Sequence, residues 1–237
     1  AAYNSIPECD RPALHRLISQ GLRADASPSR RDELLFDIVN QLNPAEPLIA
    51  ASAARLPAAE LNARAGRQAK TATGFESALA FFAAAEAFLP ADAWAHYYPL
   101  AFGVACDRAE CEFVAGHLDA ANEQLEQLSA RAANRVDLAR VACLRASLHT
   151  SADRLEQAIE TALAYLRLVG IDWSSRPTDR DVRAEYDRLL ALIGGREIES
   201  LIDLPILVDP EWQAVVDVLL AFLPAAILGV AFSKLIK

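Results

Sequence analysis

Apolar residues in this chain recur at helical spacing. In the stretch RDELLFDIVNQLN they fall one, four, five and eight positions after the first, as on one face of an α-helix; they are Leu34, Leu35, Ile38, Val39 and Leu42. Hydrophobic residues make up 53% of the 237 residues, whereas Gly and Pro number only 9 and 12. This balance favours helices over a sandwich or barrel, so we predict an all-α fold.

Several predicted helices carry explicit start and stop signals. Ser27 followed by Pro28 combines a capping residue with a first-turn proline, and Asp10 with Pro12 repeats that arrangement. A later helix is predicted to start near Thr178 and to end where Gly-Gly permits a left-handed cap. Its apolar stripe and its end are Val182, Tyr186, Leu189, Leu190, Ile193 and Gly194-Gly195.

Small residues recur where the two helices of a hairpin would touch. Taking Pro90 as a closing proline gives three tetratricopeptide-like units, in which Ala78, Ala121 and Ala158 are 43 and then 37 residues apart. The other packing positions are Gly66, Phe82 and Ala85, then Ala109, Gly116, Leu125 and Leu128, then Ala146, Leu155 and Tyr165. We predict divergent helical hairpins that stack into an α-solenoid, because one hairpin cannot bury its apolar face alone.

Charge and motifs argue against several functions. The net charge is -9 and no block of Lys and Arg offers a track for phosphates, so we expect no nucleic-acid binding. No Gly-rich phosphate loop or catalytic motif is present, and we predict neither catalytic residues nor cofactors. The four histidines (His15, His96, His117 and His149) form no ligand pattern, so no metal is expected.

The cysteines are interpreted as small buried residues in a reducing, cytoplasmic setting; they are Cys9, Cys106, Cys111 and Cys143.

The C-terminal stretch from Val218 to Phe232 is almost continuously apolar but contains Pro224 and Gly229. It spans about 15 residues, fewer than the roughly 20 that a transmembrane helix needs. We therefore expect a buried helix, or one separated from its packing partner, rather than a membrane span. An exposed patch on it could drive homodimerisation.

The segment GGREIESLIDLPILVDPEWQ (194–213) interrupts two predicted helices. We interpret it as a joint that contains one short helix before Leu204-Pro205 and a packed, extended connector at 206–208. Asp209-Pro210 then starts the last helix. Exposed aromatic residues are candidates for partner contact, but packing between helices is the favoured explanation for each, so no binding residue is assigned; they are Trp94, Tyr97, Tyr98 and Trp173.

An ordered series of motifs resembles the helical region of very large bacterial signalling proteins. The more specific are LFDIVNQLN (35–43) and LNARAGRQAK (61–70). RPALHRLISQGL, ATGFESALAFF, AWAHYY, AECEFVAGHLDAA and IESLIDLPILVDPE occur in the same order. In that family a Ser/Thr-kinase-like domain and an AAA-type ATPase precede a tetratricopeptide-like region, and a GAF domain and a histidine kinase follow it.

The resemblance implies that residues 1–50 form the tail of an ATPase module or an N-terminal cap, and that 51–237 form the solenoid. We therefore expect a non-catalytic interaction and signal-relay scaffold whose partner is a protein, a peptide or a neighbouring domain of the same chain. The chain contains no Met, and we interpret it as a piece of a longer protein. The alternatives are an effector-binding arm of an ATPase-type transcription regulator and, less favoured, an all-helical enzyme.

Overall fold

The computed structural model describes residues 3, 6–24, 27–49 and 53–235, and these residues form helices without any strand. This confirms the all-α prediction. In chain order the α-helices are α1 (Arg11–Ala24), α2 (Pro28–Glu33), α3 (Leu35–Leu42), α4 (Glu46–Ile49), α5 (Arg55–Thr71), α6 (Phe75–Phe88), α7 (Ala93–His96), α8 (Tyr98–Val114), α9 (Leu118–Arg131), α10 (Arg135–Ser151), α11 (Leu155–Leu168), α12 (Asp179–Ile193) and α13 (Pro210–Leu235).

The chain divides into two compact units, Ala1–Gln124 and Leu125–Lys237. The division lies within α9, which begins in the first unit and ends in the second. The predicted boundary between residues 50 and 51 lies outside the described residues. The assignment of residues 1–50 to an ATPase module therefore stays a prediction.

Local capping sets several helix ends as predicted. The Ser27 hydroxyl accepts a hydrogen bond from the Arg30 backbone N–H at 3.3 Å and so caps α2. A capping box opens α12, in which Thr178 and Asp181 each accept a hydrogen bond from the backbone N–H of the other. The left-handed Gly194, with φ 65°, ends that helix.

The first unit is held by a close contact between α5 and α6. Alanines line the buried face of α5, while Phe82 and Ala85 of α6 are fully buried against it. A Cβ added at Gly66 would lie 2.6 Å from the Phe82 ring. Only glycine therefore lets the ring lie against the α5 backbone, which agrees with its predicted role as a small packing residue.

One predicted packing residue has a different role. Gly116 has φ +90°, and an added Cβ would meet nothing within 4 Å. It provides the left-handed turn between α8 and α9 rather than room for a neighbouring helix. By contrast, the predicted positions Ala109, Ala121, Ala146 and Ala158 are all fully buried.

The second unit has its core where α10, α11 and α13 pack together. Tyr165 and Leu166 of α11 lie in this core with Val215 and Val218 of α13. Asp209 accepts hydrogen bonds from the backbone N–H groups of Glu211 (2.9 Å) and Trp212 (3.3 Å), and so caps α13. The predicted start of the last helix is confirmed.

The joint between α12 and α13 differs from the prediction in one respect. The short helix exists, as a 3₁₀-helix over Ile198–Asp203. The extended segment after it is not packed, since Ile206 is 87% and Val208 79% exposed. Apolar composition predicted burial here, but nothing in the second unit covers these two side chains.

Candidate functional site

In the two most specific motifs, LFDIVNQLN (35–43) and LNARAGRQAK (61–70), polar side chains form hydrogen bonds and ion pairs between helices. Asn62 of α5 is completely buried, and it exchanges two amide hydrogen bonds with Asn43 at 2.9 and 2.8 Å. Asn62 also donates to the carbonyl of Ala58 at 3.1 Å. A buried amide needs such partners, so this pair fixes how the end of α3 meets α5. The sequence marked these residues as a motif but did not indicate their pairing.

A charged cluster joins α5 to α8 in the same unit. The ammonium of Lys70 contacts Asp107 at 2.8 Å and Glu110 at 2.9 Å, and Arg67 also binds Asp107 at 2.8 Å. Burial alone would lower the pKa of Lys70, but hydrogen bonds to the two carboxylates raise it above its ordinary value. The lysine therefore stays protonated at neutral pH and serves as a structural ion-pair partner rather than a base.

The cysteines lie in different environments. Cys106 and Cys111 are fully buried, as predicted, whereas Cys9 is exposed in the 3₁₀ turn Glu8–Asp10. That turn has no buried residue, which explains why the prediction of a buried Cys9 is wrong. Burial raises the pKa of the Cys111 thiol to about 11, and that of Cys143 likewise, so neither is a ready nucleophile at neutral pH.

Two histidines lie beside carboxylates, and one of these pairs was overlooked in the sequence, since Asp92 and His96 have the i, i+4 spacing of neighbours on a helix. His96 Nδ1 is 3.1 Å from Asp92, and His117 Nδ1 is 2.6 Å from Glu112. Each is a single pair. Among the described residues, no group of three His, Cys, Asp or Glu side chains could hold a metal ion.

The aromatic candidates are mainly packed on one another. Trp94 meets Tyr98 edge-on, with ring centroids 6.2 Å apart, and Tyr98 stacks on Phe102 at 5.3 Å. Tyr97 and Trp173 remain exposed. The geometry therefore favours helix packing for Trp94 and Tyr98 and leaves Tyr97 and Trp173 available for contact.

A cavity of about 200 Å³ opens beside α10 and α11 in the second unit. It is lined by Ser129, Leu138, Ala142, Arg145, Thr161, Ala164, Tyr165 and Leu168. The Nε of Arg145 and the hydroxyl of Tyr165 are buried without a hydrogen-bond partner. Arg145 Nη2 contacts Glu126 at 3.5 Å, so the guanidinium is paired on one side while its Nε has no partner. The cavity could accept a small group with an apolar body and an anionic end.

An uncovered apolar surface of the second unit begins on α12. None of the described side chains of α12 is buried, and its predicted stripe is exposed to solvent except for the half-buried Ile193. Tyr186 and Leu189 are 58% and 54% exposed. We call Val182, Tyr186, Leu189, Leu190 and Leu192 of α12 the α12 stripe. A stripe of this kind normally packs on another element, so it is a candidate contact surface.

Helix α13 is apolar on nearly every side, but only one of its faces is packed. Its residues Pro210–Gly229 are long and apolar enough to cross a membrane by length and composition, with a mean hydropathy of 1.8. Ala214, Val215, Val218 and Ala225 are buried in the core of the second unit. The sequence predicted a buried helix or one separated from its packing partner. The structure buries one face of the helix and leaves the opposite face exposed.

Comparisons with known proteins give one distant similarity. The chain is 23% identical over 178 residues to the hybrid signal transduction histidine kinase G of Dictyostelium discoideum. The aligned region covers 71% of this chain but only 5% of that protein. No protein-family model matches the chain, and no solved structure matches it.

The expected link to signalling kinases is therefore supported at the level of a distant similarity. Neither comparison supports the ATPase module or the tetratricopeptide class that the resemblance implied. In the described residues, the polar clusters of the first unit are structural. The uncovered apolar surface and the cavity of the second unit are candidates for binding, together with the exposed Tyr97 and Trp173.

Proposed function

We propose that this chain is a non-catalytic interaction and signal-relay scaffold, one segment of a larger multidomain signalling kinase in the cytoplasm. The observation that carries the proposal is the similarity to a hybrid signal transduction histidine kinase, since it spans most of this chain and a small part of that much longer protein. A segment of this kind would lie among other domains and transmit their state.

The apolar surface of the second unit supports this role. The α12 stripe and the exposed Ile206 and Val208 would leave several large side chains in water if nothing covered them. A neighbouring domain of the same longer protein is the partner we propose for them. The capping box and Gly194 stabilise α12 at both ends. The helix could therefore dock already folded, and binding would not carry the cost in conformational entropy of folding it.

The arrangement we propose is a solenoid of divergent helical hairpins. Two pairs of consecutive helices in contact, α5 with α6 and α10 with α11, support it. The buried small residues Gly66, Ala78, Ala146 and Ala158 recur within these pairs. Stacked pairs of this type provide extended surfaces for partners. In the same proposal, residues 1–50 form the tail of an ATPase module or a cap.

The test is made in the full-length protein. Replacing Tyr186 and Leu189 together by Glu should change the rate of autophosphorylation, because the relay would lose its docking helix. Leu17→Glu on α1, an equally exposed apolar position at 66%, is the matched control and should leave the rate unchanged. If deletion of residues 55–235 leaves kinase output and its regulation intact, the scaffold proposal fails.

Catalysis is tested on the chain itself. We expect the purified 237-residue chain to show no ATP turnover above a buffer blank, because its titratable clusters in the first unit are already used in ion pairs. Measurable turnover that is lost in Asp107→Asn would instead establish an all-helical enzyme.

The cavity beside Arg145 favours a second candidate, an arm that binds a small effector. Arg145 would pair with the anionic end of the effector, and Leu138 and Ala142 would contact its apolar part. Small monocarboxylates with short aliphatic chains should then raise the thermal midpoint of the chain, and Arg145→Leu should abolish the shift. Equal midpoints with and without these acids would remove this candidate.

A further inference from the structure

The cavity beside α10 and α11 is polar at one end and apolar at the other. Leu138 and Arg145 line it on α10, and Thr161 and Leu168 line it on α11. The two helices are in contact and are joined by only three residues (152–154), as in an antiparallel helical hairpin. Arg145 and Thr161 both lie eight residues from the middle of this connection, and the two leucines both lie fifteen residues from it. The leucines are therefore about two turns, or roughly 10 Å, from the polar pair.

The polar end of the cavity offers one hydrogen-bond donor and two acceptors. The Nε of Arg145 is buried and has no hydrogen-bond partner among the described residues. The hydroxyls of Thr161 and Ser129, which also lines the cavity, donate to the carbonyl four residues earlier in their own helices, at 2.7 and 2.9 Å. Because a hydroxyl has one hydrogen and two lone pairs, each of these oxygens can only accept a further hydrogen bond.

The charges around this end favour a ligand that carries both signs. The guanidinium of Arg145 and the carboxylate of Glu126 are 3.5 Å apart and together have no net charge. A ligand with a carboxylate alone would add an unbalanced negative charge beside Glu126, whereas a ligand with a carboxylate and an ammonium adds none. Ser129 also lies in the last turn of α9, where the carbonyls at a helix C-terminus favour a positive charge.

The volume of the cavity sets the size of the ligand. It is about 200 Å³. An apolar cavity of about 150 Å³ holds benzene, and pockets for drug-sized molecules begin at roughly 300 Å³. The remaining wall beside Leu138 and Leu168 is largely apolar, with Ala142 and Ala164 between them. An aliphatic group of about three to five carbons therefore fits beyond the polar end.

From this match of polarity, charge and volume we propose that the cavity binds a free α-amino acid with a short aliphatic side chain. Its carboxylate accepts the free Nε–H of Arg145, its ammonium donates to the oxygens of Thr161 and Ser129, and its side chain packs between Leu138 and Leu168. The two charged groups of an α-amino acid are attached to the same carbon, so both fit at one end of the cavity. This inference rests on the second candidate function, the effector-binding arm, and gives the effector its chemical class.

The test is isothermal titration calorimetry of the 237-residue chain with three ligands of the same aliphatic skeleton. L-Leucine carries both charged groups, 4-methylpentanoate lacks the ammonium, and 3-methylbutylamine lacks the carboxylate. L-Leucine should bind about ten-fold more tightly than either, because it alone uses the donor and the acceptors together. Equal affinities of L-leucine and 4-methylpentanoate would overturn this inference and leave the effector-binding arm standing. No binding of any of the three would overturn both.

Two threonines of the second unit provide matched variants. Thr161 and Thr150 each donate to the carbonyl four residues earlier, at 2.7 Å in both cases, but of the two only Thr161 lines the cavity. Thr161→Val keeps the size of the side chain and removes the accepting oxygen. It should weaken the binding of L-leucine about ten-fold and leave that of 4-methylpentanoate unchanged.

Thr150→Val is the control and should bind both ligands as the unmodified chain does. Near-ultraviolet circular dichroism checks that both variants are folded. Equal losses of L-leucine binding in the two variants, or no loss in Thr161→Val, would contradict the proposed ammonium contact.

Discussion

Helices α6 and α12 are similar in length, at 14 and 15 residues, but different forces stabilise them. The first residue of α6 follows Gly74, which offers no side-chain cap, and the helix buries Ala78, Phe82, Ala85 and Phe88. Helix α12 has a complete capping box and a left-handed glycine cap but buries nothing in the described structure. Tertiary packing therefore holds α6, whereas local hydrogen bonds hold α12. The spacing of apolar residues predicts that a helix has a face able to pack. It does not predict which element packs on that face.

The largest expected effect is at the centre of the α5–α6 contact. Phe82→Ala should lower the free energy of unfolding by about 3–5 kcal/mol, because it removes a fully buried ring and leaves a cavity. Leu192→Ala on α12, at a position that is 77% exposed, should change the free energy by less than about 0.5 kcal/mol. Urea denaturation of both variants measures the contrast. Equal losses would mean that α12 is as well packed as α6.

A smaller effect is expected at the glycine beneath the ring. Gly66→Ala should cost about 1–3 kcal/mol, because its Cβ would lie 2.6 Å from the Phe82 ring. Gly21→Ala is the control, since an added Cβ there meets nothing within 4 Å and alanine favours the helix by up to about 1 kcal/mol. The two variants should thus shift the thermal midpoint in opposite directions. A stabilising Gly66→Ala would show that α5 and α6 do not pack as closely as described.

The smallest effect concerns the cap of α12. Thr178→Ala should remove roughly 1 kcal/mol from that helix. Because α12 is not part of the core, the loss should appear as faster amide exchange in residues 179–193, with the global denaturation midpoint unchanged. A shifted global midpoint would mean that α12 is packed in solution.

The same cap makes α12 sensitive to acid. Hydrogen bonds from the backbone and hydroxyl of Thr178 hold the pKa of Asp181 below its ordinary value of 3.8. A lowered carboxylate pKa means that stabilisation is complete above the ordinary value and is lost as pH falls through the lowered one. Amide protection of α12 should therefore decline below pH 3.8 in the wild type, and Asp181→Asn should remove this dependence. Unchanged protection in acid would rule out the cap as its source.

Much of the local structure could be predicted from the sequence. Capping residues, prolines and glycines predicted where α2, α12 and α13 begin and where α12 ends, because these signals act within a few residues. The small residues of α5 and α6 also predicted that these two helices pack together, since the repeat pattern assigned Gly66 and Phe82 to the same hairpin.

Burial and partner choice could not be predicted in the same way. The exposure of Ile206 and Val208 depends on which element lies beside them, and composition carries no information about that. Gly116 was assigned to packing although it serves a turn, because glycine suits both roles. The cavity beside Arg145 and the pairing of Asn43 with Asn62 join residues far apart in sequence, and a single chain gives no local signal for such contacts.

We propose that the apolar surface of the second unit is covered in the working protein, whereas the α5–α6 contact is complete by itself. Amide hydrogen exchange tests this most directly, in the 237-residue chain and in the longer signalling protein that we propose. We predict that α12 and residues 198–208 exchange fast in the chain and at least ten-fold more slowly in the longer protein, with α5 and α6 unchanged. Equally fast exchange of α12 in both would contradict the account.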